Sequence, residues 1–267
     1  MNVRAPVTRT PPAIRALEYW IYQYKRTWRG TVISGLISPV LYLAAMGVGL
    51  GSLVDKHQSS QGSLGGVSYV AFLAPGMLAA IAMQIAAQES TYPVLAAVKW
   101  LRTYLAMLAS PLRVVDLLAG HMMWIAIRVT ITVLMFLAVM ELFGAGHHWT
   151  VLLALPAAVL TGMAFGVPIA AFSATREGDA AFAALFRFVI MPMFLFSGTF
   201  FPVSQLPTAL RWVAYATPLW HGVDMCRSLA LGTATPGRVA MNVAYLAIFV
   251  VVGYVAAHRS YTRRLAT

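Results

Sequence analysis

Long runs without a formal charge constrain this chain more than any other feature. No Asp, Glu, Lys or Arg occurs from Leu142 to Thr175, and similar runs lie between Arg29 and Asp55, Lys56 and Glu89, and Arg238 and Arg259. A helix crosses a bilayer in about 20 mostly apolar residues, so each run has room for one crossing. Composition closes off the soluble alternatives. Of the 267 residues 60% are apolar and 10% charged, where a soluble domain carries about 25% charged residues. So few charges cannot cover a water-facing surface, which excludes a soluble enzyme and a disordered chain. The single cysteine, Cys226, excludes an intrachain disulfide and any metal site built from clustered cysteines.

Six apolar stretches read as spans, centred on residues 32–51, 69–87, 117–140, 150–172, 182–200 and the segment between Arg238 and Arg259. The third contains Arg128, and the fifth carries Arg187 near its start. An even number of crossings places both termini on one side. That side would hold Arg4, Arg9, Arg15, Lys25, Arg26, Arg29, Lys99, Arg102, Arg113, Arg176, Arg259, Arg263 and Arg264, against Lys56, Arg211, Arg227 and Arg238 on the other. Cytoplasmic loops carry the excess of Lys and Arg, so both termini are expected in the cytosol. The net charge of +11 then belongs to anionic lipid headgroups rather than to nucleic acid. No signal peptide is expected, since the first thirty residues hold six basic residues and no apolar core.

After Pro11 and Pro12, apolar residues recur at Ile14, Leu17, Ile21, Tyr24 and Trp28, with Arg15, Glu18, Lys25, Arg26 and Arg29 between them. This spacing predicts an amphipathic helix in the membrane interface. It serves as a snorkelling anchor, as a docking surface, or as both. The link between spans two and three, about Gln88–Asp116, holds Lys99-Trp100-Leu101-Arg102 and Ser110-Pro-Leu-Arg113. Pro111 is placed to open a helix with Ser110 as its N-cap. The link is either a basic juxtamembrane turn or a short exposed helix that transmits motion.

The segment from Pro202 to Pro236 is too apolar for a solvated loop and too short for two crossings. It predicts two short helices, Pro207–Ala216 and Pro218–Leu231, the second capped by Thr217, dipping into the outer leaflet and returning. Arg128 is expected to pair with a carboxylate or carbonyls on a neighbouring helix, or to face a hydrophilic cavity. Glu89 and Glu141, at span ends, are expected to be exposed, and Arg187 to snorkel. Gly47, Gly49 and Gly51, and Gly162 with Gly166, are spaced for close helix packing. No acid–base pair, metal-ligand spacing or phosphate-binding loop occurs: His147, His148 and His221 stand outside any ligand pattern, and Lys25, Lys56 and Lys99 outside any P-loop.

With these parts in place, the chain resembles the membrane subunit of a type-2 ABC exporter. Within that superfamily it is similar to the nodulation-protein-J group, which includes lipo-oligosaccharide exporters and is related to daunorubicin-type drug-efflux permeases. The match rests on Phe196-Ser-Gly-Thr-Phe-Phe-Pro202, Gln205-Leu-Pro207, Pro218-Leu-Trp-His-Gly-Val-Asp224 and Arg227. Tyr69-Val-Ala-Phe-Leu-Ala-Pro-Gly76, Ser110-Pro-Leu-Arg113 and Ser38-Pro-Val-Leu-Tyr42 with Gly47–Gly51 add to it. The resemblance covers nearly the whole chain.

It implies an all-α polytopic membrane protein with six transmembrane helices, an amino-terminal interfacial helix, and an extracytoplasmic re-entrant helical hairpin between spans five and six. One domain would comprise a cytosolic tail and connecting helix (1–30), spans one to five (31–200), the hairpin (201–236), span six (237–258) and a basic cytosolic tail (259–267). The resemblance also implies a second copy of the permease and two cytosolic ATPase subunits, which would bind the ATP and magnesium; this chain would bind no cofactor and catalyse nothing. Tyr24, Lys25 and Arg26 of the connecting helix, with Trp100, Leu101, Arg102, Ser110, Pro111, Leu112 and Arg113, would couple to the ATPase. Met83, Gln84, Phe186, Met193 and Phe194 would line the path. The hairpin signature is Ser197, Gly198, Phe201, Pro202, Pro207, Pro218, His221, Asp224 and Arg227. The implied setting is the bacterial cytoplasmic membrane, and the implied cargo an amphiphile: lipo-oligosaccharide, lipid, polysaccharide or hydrophobic drug. An ion-coupled transporter or channel that needs no ATPase partner is the alternative, and a lipid-modifying membrane enzyme would need a reactive cluster that the sequence lacks.

Overall fold

A computed structural model of the chain describes residues 11–51, 67–146 and 148–265. Arg4, Arg9, Asp55, Lys56 and His147, used above in the topology and motif arguments, lie outside the described residues. Among the described residues the chain is all helical. The elements are α1 (Pro12–Tyr24), α2 (Trp28–Tyr42, continued by a π-helical stretch, Leu43–Leu50), α3 (Tyr69–Glu89), α4 (Tyr92–Leu95, continued by π turns at Ala96–Trp100), α5 (Thr103–Leu108), α6 (Val114–Leu142) and α7 (Ala154–Ala174). After these come α8 (Ala180–Leu185), joined through π turns at Phe186–Ile190 to α9 (Met191–Phe196), then α10 (Thr208–Tyr215), α11 (Pro218–Ala230) and α12 (Pro236–Leu265).

Helix thus occupies each of the six apolar stretches. Among the described residues, four helical units are long and apolar enough to cross a membrane by length and composition: Tyr69–Trp100, Val114–Leu142, Trp149–Ala174 and Pro236–Leu265. Ala180–Phe196 is apolar but shorter. In the most apolar window of Tyr69–Trp100, 78% of residues are buried, against 17% in that of Pro236–Leu265. The unit beginning with α3 is therefore the axis of the bundle, and α12 packs along its outside.

Small residues set how closely these helices approach. A Cβ on Gly162 of α7 would lie 2.9 Å from the Ala82 carbonyl oxygen of α3, and one on Gly166 would lie 3.2 Å from the Ala86 Cβ. Lipid offers helices no hydrophobic reason to associate, so such backbone-to-backbone contact supplies the packing. Local starts follow elementary capping chemistry. The Ser68 hydroxyl accepts from the Ala71 N–H at 3.3 Å to open α3, and the Thr217 hydroxyl accepts from Trp220 N–H at 3.4 Å ahead of Pro218.

Several expectations are corrected. Ser110 and Pro111 lie in a turn and open no helix. The Ser110 hydroxyl instead donates back to the Met107 carbonyl at 2.6 Å, closing α5. The next helix starts at Val114, where the Asp116 carboxylate accepts from the Arg113 N–H at 2.9 Å. An acidic side chain in the first turn suits the positive end of a helix. The face of α1 is rotated from the expected one: Ile14 and Trp28 are exposed, Ala16 and Trp20 are buried, and Leu17, Ile21 and Tyr24 pack beside them. The reason is Gly120. A Cβ there would stand 2.6 Å from the Ala16 Cβ, so α1 lies directly on α6 through two of the smallest residues available. Its apolar face is covered by protein.

That contact gives a direct test. Gly120→Val should separate α1 from α6 and lower stability by about 1–3 kcal/mol, as overpacking does. A thermal melt of the detergent-solubilised protein, with protease sensitivity of the first thirty residues, checks it.

Candidate functional site

Three clusters, two buried and one exposed, hold the residues with chemistry to offer. The first lies where α1 meets α6. The Trp20 ring stacks on His121 with centroids 4.3 Å apart and planes 11° from parallel. The Tyr104 hydroxyl of α5 is 2.8 Å from His121 Nδ1, and the Tyr104 ring lies 5.7 Å from that of Tyr261 near the end of α12. One imidazole therefore gathers α1, α5, α6 and, through Tyr104, α12. Sequence reading missed all four residues, since each looks like one more aromatic or lone histidine in an apolar run.

One to two turns further along α6 is an ion pair. Arg128 Nε donates to Glu89 Oε1 at 2.9 Å and Trp124 Nε1 donates to Glu89 Oε2 at 3.1 Å. The Arg128 guanidinium also lies 4.7 Å from the centroid of the Tyr24 ring. The expected exposure of Glu89 is thus corrected: its side chain is 18% exposed, and it neutralises Arg128. Helix periodicity explains the arrangement. His121, Trp124 and Arg128 are three and four residues apart and share one face of α6, opposite Trp20 and Tyr24 at i and i+4 of α1. Near this seam the predicted coupling residues divide. Tyr24 faces inward, whereas Lys25, Arg26, Trp100, Leu101, Arg102, Ser110, Pro111 and Arg113 are exposed and Leu112 is half-buried. Arg102 adopts φ +52°, a left-handed corner that costs a non-glycine residue energy and turns the chain sharply into α5.

The second cluster sits at the predicted outer end. Arg227 of α11 donates through Nε to the Phe72 carbonyl at 2.9 Å, and through Nη2 to the Gly198 and Thr199 carbonyls at 2.9 and 3.2 Å. Its guanidinium lies 3.7 Å from the centroid of the Phe72 ring. Pro75 deprives the neighbouring Ala71 carbonyl of its usual helical donor, and Arg227 reaches the backbone of α3 at this weakened place. Ser197 and Thr217 hydroxyls meet at 3.0 Å. His221 Nδ1 is 2.8 Å from Asn242 Oδ1, Asn242 Nδ2 donates to Asp224 Oδ2 at 2.9 Å, and Arg238 forms an ion pair with Asp224. The His221 ring stacks on Tyr245 at 3.8 Å. The structure therefore brings Ser197, Gly198, His221, Asp224 and Arg227 together as a polar fastening of the hairpin. Phe201 instead packs with Val203, Leu206 and Ala214 in a small separate core. Pro202 precedes a short 3-10 turn, and Pro207 and Pro218 mark the starts of α10 and α11.

Among the predicted path residues, Met83 is fully buried inside the bundle, while Gln84, Phe186, Met193 and Phe194 are half-buried. No group of three or more metal-ligating side chains occurs among the described residues.

This architecture has a match. The family model described as ABC-2 type transporter aligns with residues 17–231. The chain belongs to the ABC-2 type transporter family. It is similar to Nodulation protein J of Rhizobium leguminosarum bv. viciae, at 34% identity over 245 residues that cover 91% of this chain and 90% of the relative. Nodulation protein J of Rhizobium meliloti (strain 1021) is 31% identical, with 92% and 94% covered, and that of Neorhizobium galegae 29%, with 91% and 89% covered. As an ABC-2 permease it is a transport subunit, and the family implies an ATPase partner. The matched region contains Trp20, Tyr24, His121 and Arg128 of the α1–α6 seam, and Arg227 with its three carbonyl partners.

A third cluster joins loops of this permease. Glu177, between α7 and α8, contacts Lys99 Nζ at 3.3 Å and Arg264 Nη2 at 2.5 Å. Hydrogen bonds from Arg264, then from Lys99, hold its carboxyl below the usual carboxylate range. A lowered pKa means the attraction is complete above the ordinary carboxylate range and disappears as pH falls through the lowered value. Spin labels at positions 178 and 262 should therefore report a narrow distance at pH 7 that broadens in acid, and Glu177→Gln should broaden it at both.

The buried pair makes a sharper prediction. Glu89→Gln leaves Arg128 uncompensated and should cost about 3–5 kcal/mol, whereas Glu89→Gln combined with Arg128→Met should recover a large part of that loss. Thermal unfolding of the three proteins in one detergent measures both effects.

Proposed function

We propose that this chain is the membrane half of an ATP-driven exporter that moves an amphiphilic cargo out of the cytosol or the inner leaflet. In this reading it crosses the bacterial cytoplasmic membrane six times, with both termini cytosolic and α10–α11 re-entering from outside. Two copies would pair over two ATPase subunits. Lipo-oligosaccharide, lipid, polysaccharide and hydrophobic drug all suit a pathway of this character, and a lipo-oligosaccharide fits the nodulation relatives.

The observation that carries the reading is the convergence on His121. Two exposed-faced segments, α1 and α5, are the ones an ATPase would push, and both meet one buried imidazole of the spanning helix α6. A push on either would be delivered to α6, and through Tyr104 to α12, without passing along the intervening chain. Exposed Lys25, Arg26, Trp100, Leu101, Arg102, Ser110, Pro111 and Arg113 would form the contact surface, with Tyr24 and Leu112 behind it. Closure of the nucleotide-loaded ATPases would tilt these units and shift the permease between its inward and outward states, each favoured by its own ligand. Gln84, Phe186, Met193 and Phe194 would border the path, with Met83 packed behind them. The hairpin would cover the outer end until Arg227 and Asp224 release their partners.

Alanine substitutions across Leu101–Arg113, in the permease co-expressed with its ATPase, should leave membrane insertion intact and uncouple ATP hydrolysis from cargo movement by about tenfold or more, a loss near 1.4 kcal/mol. Unchanged coupling throughout the scan would reject the assignment. Cargo movement in vesicles lacking any ATPase, driven by an ion gradient, would favour an ion-coupled transporter.

A further inference from the structure

The outer face of α12 carries a groove of about 330 Å³, lined by Pro168 of α7 and by Ile248, Phe249, Val252, Gly253 and Ala256. Every one of these residues is apolar. A Cβ on Gly253 would lie 2.7 Å from the Pro168 ring, so glycine admits the ring and sets the floor of the groove. Ile248 and Val252 beside it are 60% and 63% exposed. From Ile248 to Ala256 the helix rises about 12 Å, close to the hydrocarbon depth of one leaflet, about 15 Å.

The groove continues into charge. Arg259 and Arg263 follow Val252 at i+7 and i+11, so both stand on the groove's side of α12. Along the axis they lie about 5 and 10 Å beyond Ala256. Both are exposed, and neither forms an ion pair among the described residues. No Asp or Glu occurs in α12. Glu177, the carboxylate that meets this end of the helix, is already held by Lys99 and Arg264.

Candidate occupants differ in how they meet the two parts. A second copy of the chain, related by a two-fold axis along the membrane normal, would set the same face of α12 against itself. Arg259 and Arg263 would then confront their own copies with no carboxylate on either helix. A zwitterionic lipid would fill the groove but bring its own ammonium group beside the arginines. An anionic phospholipid suits both parts. One acyl chain lies along the groove, and phosphate oxygens accept from the guanidinium N–H groups, whose fork matches that geometry.

We infer that α12 and Pro168 form a binding site for one anionic phospholipid of the leaflet at the carboxyl-terminal end of α12. That leaflet is the cytosolic one in the exporter reading, and this sidedness alone rests on that reading. Neither cargo nor ATPase enters the argument.

The test uses the full-length permease in complex with its ATPase, stripped of lipid in detergent. It is titrated with phosphatidylglycerol and with phosphatidylcholine carrying identical palmitoyl and oleoyl chains, and native mass spectrometry counts the lipids bound. One phosphatidylglycerol per permease copy should bind about tenfold more tightly than the first phosphatidylcholine, a comparison that needs no variant. Arg259→Gln with Arg263→Gln should abolish that preference. Ala256→Phe, which fills the groove from its exposed side, should weaken both lipids by about tenfold. Unfolding temperatures of the variants in lipid-free detergent should match the original. The proposal is overturned if the two lipids bind alike, if the arginine variant keeps the preference, or if Ala256→Phe binds both lipids like the original. It is equally overturned if glycerol phosphate competes as well as the whole lipid, since the groove then contributes nothing. A disulfide between permease copies carrying Val252→Cys would give this face to a second copy and overturn it too. A complex that binds the lipid but moves no cargo on addition of ATP would support the site and count against the exporter reading.

Discussion

In a chain with so little charge, what the few buried ions do decides how the rest must pack. Arg128 sits midway along a spanning helix, and an unpaired cation there is costly in hydrocarbon. Its resolution is local and complete enough to organise three elements. Glu89 at the end of α3 neutralises it, Trp124 fills the second oxygen of that carboxylate, and Tyr24 of α1 covers the guanidinium face. Each partner comes from a helix that must be in register for the pair to form. The pair therefore specifies relative positions more than it adds stability, because desolvation offsets much of the attraction.

The same logic recurs at the other end. Arg227 spends its donors on three backbone carbonyls, and Asp224 is met by Arg238 and Asn242. Carbonyls of the irregular segment after α9, at Gly198 and Thr199, would be expensive to bury alone, and the Phe72 carbonyl of α3 lies within the same reach. A side chain with several donors in a rigid fork satisfies them together. Between these two fastenings the bundle is held by small residues in close contact, a surface that permits sliding.

How much of this was legible beforehand differs by element. The hairpin helices were readable because Pro and Thr at helix starts act through local geometry, and Pro218 with Thr217 behaves as that geometry requires. The short helix expected to open at Pro111 gives way to a turn, and α6 starts at Val114 with Asp116 in its first turn. The face of α1 was misread because periodicity counts large apolar residues, while the contact is made through Ala16 against Gly120. Glu89 was placed in solvent because nothing in a linear pattern reveals that its helix end abuts the middle of another. The π turns at Ala96–Trp100 and Phe186–Ile190 shift side-chain direction in segments that carry proposed coupling and path residues, and no residue type announces them.

The sequence by itself determined the apolar character, the helical class, the order of the apolar stretches and the family. Each follows from how many apolar residues stand in a row, where the cations fall and which short motifs recur in order, all of which are one-dimensional quantities. Only the tertiary structure decided that α1 rides on α6, that Glu89 belongs to Arg128, and that His121 joins four segments. Those facts depend on which helix faces meet across long separations in the chain. That meeting is set by the joint packing of small residues and the pairing of buried charge, which no local stretch contains.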